Sequence, residues 1–268
     1  MKKEATMEST SNNDVMNSYY TKYEELRQQT SGDPGYKNKV KTILANKSSA
    51  NIQESLNHLK NELLMGFTEI LKPELNAIFD KFDEDANGVL DPREAKDLIK
   101  AFLKSGKELK VKHTIDTKLK CFNTKIPDYI KLIDLTAIPM QKHANVNEII
   151  KEIYKEKYVP WCTNFYSTFF DDILEHLDVF SKSLIEEIDA NHDNCIGKEE
   201  LLNGFTVAFG HLTASGNAAF IQSETKWLNE EFNMKLDQMV KIKLKQKMKI
   251  DDIGNADGVN RDCECIVS

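Results

Sequence analysis

The stretch Asp83 to Glu94, Asp-Glu-Asp-Ala-Asn-Gly-Val-Leu-Asp-Pro-Arg-Glu, constrains this chain more than any other. Side-chain oxygens stand at its positions 1, 3, 5, 9 and 12 (Asp83, Asp85, Asn87, Asp91 and Glu94), and Val89 at position 7 offers a backbone carbonyl. That spacing suits a hard divalent cation, which takes six to eight oxygens from such a loop, both oxygens of the last carboxylate included. Position 6 must turn sharply with a positive φ, which glycine does at least steric cost, and Gly88 stands there. Asp91 is also an N-cap, Pro92 suits a first helical position, and Glu94 completes a capping box. The cation site and the start of the exiting helix are thus made of the same residues. Leu75, Ile78, Phe79 and Phe82 before the loop, and Ala95, Leu98, Ile99 and Phe102 after it, recur at helical spacing and mark the inner faces of two helices.

A second stretch of this kind runs from Asp189 to Glu200. Its ligands are expected to be Asp189, Asn191, Asp193, the Cys195 carbonyl, a water held near Gly197, and Glu200. Phe180, Leu184 and Ile188 precede it, and Leu201, Leu202, Phe205 and Phe209 follow. Asn194 replaces glycine at position 6, and asparagine tolerates the left-handed conformation better than other side chains. Its acids are Asp189, Asp193 and Glu200, against Asp83, Asp85, Asp91 and Glu94 in the first loop, so the second of two expected Ca2+ sites should bind more weakly.

Both segments resemble EF-hands, the helix–loop–helix calcium module of the calmodulin superfamily. The resemblance implies pairing through a short β-bridge at loop position 8, so each loop is expected to have a partner near it in sequence. Leu119 to Ile130, with Ile126 at position 8, and Glu152 to Thr163, with Val159 there and Pro160-Trp161 opening the next helix, have suitable spacing but no acidic ligands. The alternative for each is an ordinary helix–helix connection. The expected fold is all-α, with four hands in two lobes, 73–138 and 144–212, and Pro139 at the joint. Leu90 is expected to face Ile126, and Val159 to face Ile196.

Residues 1–35 are rich in Ser, Thr, Asn and Gln and are expected to form a disordered arm. The segment 36–72 reads as a helical extension with a stripe of Ile52, Leu56, Leu59, Leu63, Phe67 and Ile70, ended by Pro73. Residues 217–250 read as a long helix carrying Trp227, Leu228, Phe232, Leu236, Met239 and Val240, and 251–268 as a flexible tail. From Val240 to Ile250 five lysines (Lys241, Lys243, Lys245, Lys247 and Lys249) alternate with mostly apolar residues. Such a basic amphipathic piece suits an anionic membrane or an apolar groove; the bland alternative is a helix packed on the core with its lysines in water. The chain ends Cys265-Ile266-Val267-Ser268, the form of a CaaX box that favours farnesyl on Cys265. One lipid anchors marginally, and each lysine near an anionic leaflet adds about 1 kcal/mol, so the basic run would be the second signal.

A net charge of −7 argues against nucleic acid as a partner. Five cysteines without a CxxC pair point to neither a disulfide framework nor zinc. No N-terminal signal-like stretch and no run of eighteen apolar residues is present. Phosphate-loop, GxSxG and HExxH motifs are missing and the six histidines share no spacing, so there is no positive reason to expect an enzyme. These features lead to the expectation of a cytoplasmic calcium sensor, peripheral on the cytosolic face of a membrane. The resemblance implies that Glu94 and Glu200 swing in to ligate the ion and open an apolar groove to a protein target, with the Trp227 to Val240 face as an internal occupant. A calcium buffer, or a structural or cytoskeletal adaptor with the hands as scaffold, is the alternative.

Overall fold

A computed structural model describes residues 4–46 and 49–256. Nine α-helices dominate the described residues: α1 (Glu4–Gly32), α2 (Pro34–Asn46), α3 (Ser49–Phe82), α4 (Pro92–Phe122), α5 (Ile126–Ile130), α6 (Val146–Glu175), α7 (Leu177–Ile188), α8 (Lys198–Trp227) and α9 (Met234–Ala256). Two short strands, β1 (Val89–Leu90) and β2 (Ile196–Gly197), lie in the two acidic loops. The fold is all-α, as expected. Among the described residues, no helix is long and apolar enough to cross a membrane.

The chain divides into two compact units. Unit 1 takes residues 1–112 and 165–218, and unit 2 takes 113–164 and 219–268. Unit 1 holds both acidic loops, and they pair with each other: β1 and β2 are antiparallel, with Val89 opposite Gly197 and Leu90 opposite Ile196. This overturns the expected pairings of Leu90 with Ile126 and of Val159 with Ile196, and with them the two-lobe plan. The supposed third and fourth loops are not loops. Leu119 to Ile130 is the end of α4, a 3-10 turn (Asn123–Lys125) and α5, while Glu152 to Thr163 lies within α6. The reason is continuous helical periodicity: Ile149, Ile150, Ile153, Tyr154, Tyr158, Cys162 and Tyr166 form one buried stripe along α6. Pro139 precedes a 3-10 segment (Met140–Asn145) and joins no lobes.

The expected disordered arm is also corrected. Met16, Tyr19, Tyr20 and Tyr23 fall at i, i+3, i+4 and i+7 of α1, and all four are buried. Four large side chains on one stripe give the polar helix an apolar face to bury, each worth about 1.5–3 kcal/mol. The expected stop at Pro73 fails too, since α3 runs through it to Phe82. Pro73 gives up the bond to the Glu69 carbonyl, which costs roughly 3 kcal/mol, but Leu71 and Leu75 on either side are both fully buried and hold the helix to one core. Pro160 is carried inside α6 in the same manner.

Unit 2 is built around aromatic rings. Phe122 stacks on Tyr154 at 3.6 Å, Tyr154 on Tyr158 at 4.8 Å, and Trp161 on Trp227 at 5.2 Å. After Trp227 the backbone adopts one π-helical stretch, Leu228–Asn233, which brings Trp227 and Phe232, five residues apart, to 5.5 Å. Phe232, Leu236 and Val240 are buried in this core, so the Trp227 to Val240 face fills the interior of unit 2 rather than a groove beside the loops. Glu224 is buried there and accepts from the Tyr158 hydroxyl at 2.9 Å and from Lys118, as a buried carboxylate requires. The alternating basic run is helical, and α9 continues to Ala256 into the expected flexible tail. Cys265 and the rest of the CaaX box lie outside the described residues.

Candidate metal centre

Each acidic loop joins two helices of unit 1: α3 and α4 flank the first, α7 and α8 the second. Both bend through the left-handed region at positions 4 and 6. Ala86 has φ 53° and Gly88 φ 85° in the first, and His192 has φ 61° and Asn194 φ 64° in the second. Glycine is free there, whereas an L side chain costs roughly 1–2 kcal/mol, with Asn among the least strained. The second loop therefore makes the same turn at a higher conformational cost.

The bends aim backbone N–H groups at the first carboxylate. Asp83 accepts from Asn87 N–H at 3.0 Å and Gly88 N–H at 2.9 Å; Asp189 accepts from His192 at 2.7 Å, Asp193 at 3.3 Å and Asn194 at 2.9 Å. The position-12 carboxylates fold back over the loops. Glu94 accepts from Glu84 N–H at 2.9 Å and Asp91 N–H at 3.0 Å, while Glu200 accepts from Ala190 at 3.0 Å, Asn191 at 3.1 Å and Gly197 at 2.8 Å. Glu94 is only 3 % exposed, so its charge is held inside the loop rather than in water.

In the first loop one oxygen from each of Asp83, Asp85 and Glu94 lies within 4.8 Å of the others. Oxygens this close could all reach one metal ion. Among the described residues no other trio of acid, His or Cys groups converges so closely. In the second loop Asp193 stands at position 5, where the first loop has Asn87, and makes the corresponding bond, accepting from Cys195 N–H at 2.8 Å as well as from the Asn191 amide at 3.0 Å.

Of the remaining expected ligands, Asn87 accepts from Val89 N–H at 2.9 Å and donates its amide to Asp85 at 2.9 Å, which places it in the loop interior with the acids. Asp91 caps α4, its Oδ1 accepting from Arg93 N–H at 2.7 Å and Glu94 N–H at 2.8 Å. Asn191 takes the place of Asp85, accepting from Asp193 N–H at 2.9 Å as Asp85 does from Asn87 N–H at 3.1 Å. Val89 begins β1 and Cys195 immediately precedes β2. The Cys195 thiol is pushed up by burial first and then by the carboxylates of Asp193, Asp91, Asp189 and Glu200, which leaves it a poor nucleophile. Asp91 is among them because the paired strands bring the two loops together.

Several contacts escaped the sequence reading. Arg93 reaches back across its own loop to Glu84 at 2.8 Å, and that bond holds its guanidinium above its ordinary value. Lys198 of the second loop reaches Asp80 of α3 at 2.6 Å, and Lys96 of α4 reaches Asp178 of α7. The last two ties join one helix–loop–helix segment to the other, a relation visible only once the two loops are known to pair. Comparison with protein-family models, with curated proteins and with solved structures returns no match to this chain.

Proposed function

We propose that this chain is a calcium-binding protein of EF-hand type, with Asp83, Asp85, Asn87, Val89, Asp91 and Glu94 holding one ion. Asp189, Asn191, Asp193, Cys195 and Glu200 form a second, weaker site. The observation that carries this reading is the convergence of Asp83, Asp85 and Glu94 within 4.8 Å around a glycine at φ 85°. Hard oxygen donors of this number favour Ca2+ over softer metals, and three carboxylates suit a doubly charged ion. Equilibrium dialysis against labelled calcium tests it. The native chain should retain calcium, and Glu94→Gln should lose the tighter component; equal retention by both would overturn the assignment.

The place of action is a separate proposal, a peripheral position on a membrane through a prenylated Cys265. It is supported by the terminal Cys-Ile-Val-Ser. The lysine run supports it less than its charge suggests, because Lys243 is paired with Glu156 and Glu152, Lys247 with Glu152, and Lys241 with Asp237 and Asp134. Cell fractionation of native and Cys265→Ser chains tests it, with loss from the membrane fraction expected for the variant and an unchanged distribution counting against the tether.

A further inference from the structure

Pairing two loops needs no additional helix, yet one face of α1, that of Met16, Tyr19, Tyr20 and Tyr23, is buried in unit 1. The Tyr20 ring stacks on Phe102 at 4.5 Å, and Phe209 meets Tyr20 at 5.2 Å and Tyr23 at 4.8 Å. Tyr19 contacts Phe102 and Phe205, each at 5.7 Å. The polar tips of the stripe are matched as well. Tyr19 Oη donates to Thr206 at 3.3 Å, Tyr20 Oη to the Phe102 carbonyl at 3.2 Å, and Tyr23 shares a 3.3 Å bond with Thr213. Lys110 donates to Glu24 at 2.9 Å with both side chains nearly buried. Gly106 completes the fit: a Cβ there would stand 1.9 Å from Tyr20 Oη.

These partners lie on α4 and α8, the two helices that leave the acidic loops, while α3 flanks the seat with Phe67 at 5.8 Å from Tyr23 and Glu74 paired with Lys22. Glu94 and Glu200 are the third residues of those helices. From Glu94 to Phe102 is about 12 Å along a rigid rod, and from Glu200 to Thr206 about 9 Å, at 1.5 Å per residue. An ion that fixes Glu94 and Glu200 therefore fixes the start of each rod, and α1 fits one setting of the pair. In the structure the inward arrangement of both glutamates and the seated α1 occur together.

We propose that α1 is the resident ligand of the groove between α4 and α8, and that its seating and cation binding favour each other. This inference rests on the calcium reading above and deepens it: loading the loops closes the groove over the chain's own helix. A foreign helix would have to displace α1 with a comparable aromatic stripe and an acid for Lys110.

The test uses the full chain and the substitution Gly106→Ala, which blocks the Tyr20 seat but removes no apolar group and favours the helix. Amide exchange over residues 14–32 is measured with calcium and with chelator, and calcium affinity is measured for native and variant chains, with helicity confirming that the variant folds. Calcium should slow exchange in α1 by about tenfold or more, and Gly106→Ala should weaken calcium binding by a comparable factor, because coupling between two sites is reciprocal. Calcium-independent exchange in α1 overturns the proposal, and so does native affinity in a folded Gly106→Ala chain. If the variant does not fold, the exchange comparison on the native chain decides alone. If the native chain binds no calcium, the metal reading fails first and takes the coupling with it, a result distinct from binding without coupling.

Discussion

Leu90 lies opposite Ile196 in an antiparallel ladder of two residues per strand, and both side chains are buried. Two acidic loops whose first residues stand 106 positions apart (189 − 83) are thereby one object. Each loop's geometry depends on the other's strand.

The first expectation concerns that bridge. Leu90→Ala removes a fully buried side chain and should destabilise the chain by about 2–5 kcal/mol. In denaturant titrations calcium should recover part of the loss, about 2.7 kcal/mol per site at a hundredfold excess over the dissociation constant. The same variant should weaken both calcium sites together. A loss confined to the first site would show that the ladder does not couple them.

The two sites should differ in strength. Glu94→Gln and Glu200→Gln each exchange a carboxylate that accepts backbone N–H bonds for a neutral amide. Each should weaken its own site by at least about tenfold, or about 1.4 kcal/mol. Because Asp83, Asp85 and Glu94 converge and no such trio forms in the second loop among the described residues, Glu94→Gln should abolish the tighter step and Glu200→Gln the weaker one. Calcium titrations of the two single variants, followed by intrinsic fluorescence or heat, distinguish this from the reverse order.

Alkaline pH should unfold the protein through its tyrosines. Burial pushes Tyr19, Tyr20, Tyr154 and Tyr158 well above the ordinary phenol value of 10.0 and raises Tyr23 in the same direction. The folded state therefore keeps these protons when the unfolded state gives them up. Their contribution to stability is fully present below pH 10 and is lost as pH rises beyond it. Ultraviolet difference titration should show late, cooperative ionisation of these hydroxyls together with loss of helicity. Early, independent ionisation near the ordinary value would contradict their burial.

The basic run should matter little for membrane attachment compared with Cys265. Lys243 is 19 % exposed and already paired, whereas Lys245 is exposed to water. Lys243→Ala should leave partition onto anionic vesicles nearly unchanged and destabilise by about 1 kcal/mol or less, the usual worth of partly exposed pairs. A large fall in vesicle partition on that substitution would show that the α9 lysines face the lipid.

Both loops were legible in the sequence because their ligands, glycine and cap are local: each rule spans at most twelve residues. The helices flanking them follow from the same short-range patterns. Pairing was not legible, since Leu90 and Ile196 meet across a separation that no periodicity records, and the spacing of Ile126 and Val159 suggested nearer partners. The α1 stripe was visible in principle as Met16, Tyr19, Tyr20 and Tyr23, but the polar composition of the surrounding residues masked its four large side chains. Pro73 and Pro160 misled for a related reason: a local rule about helix ends lost to burial on both sides of the break. The CaaX box stands on its four residues alone.

The most direct test of the account is calorimetric titration of Ca2+ into the purified, chelator-stripped chain at neutral pH. Two ions per chain, the first bound more tightly and lost in Glu94→Gln, is the predicted result. No heat, with the chain shown to be folded, would contradict it.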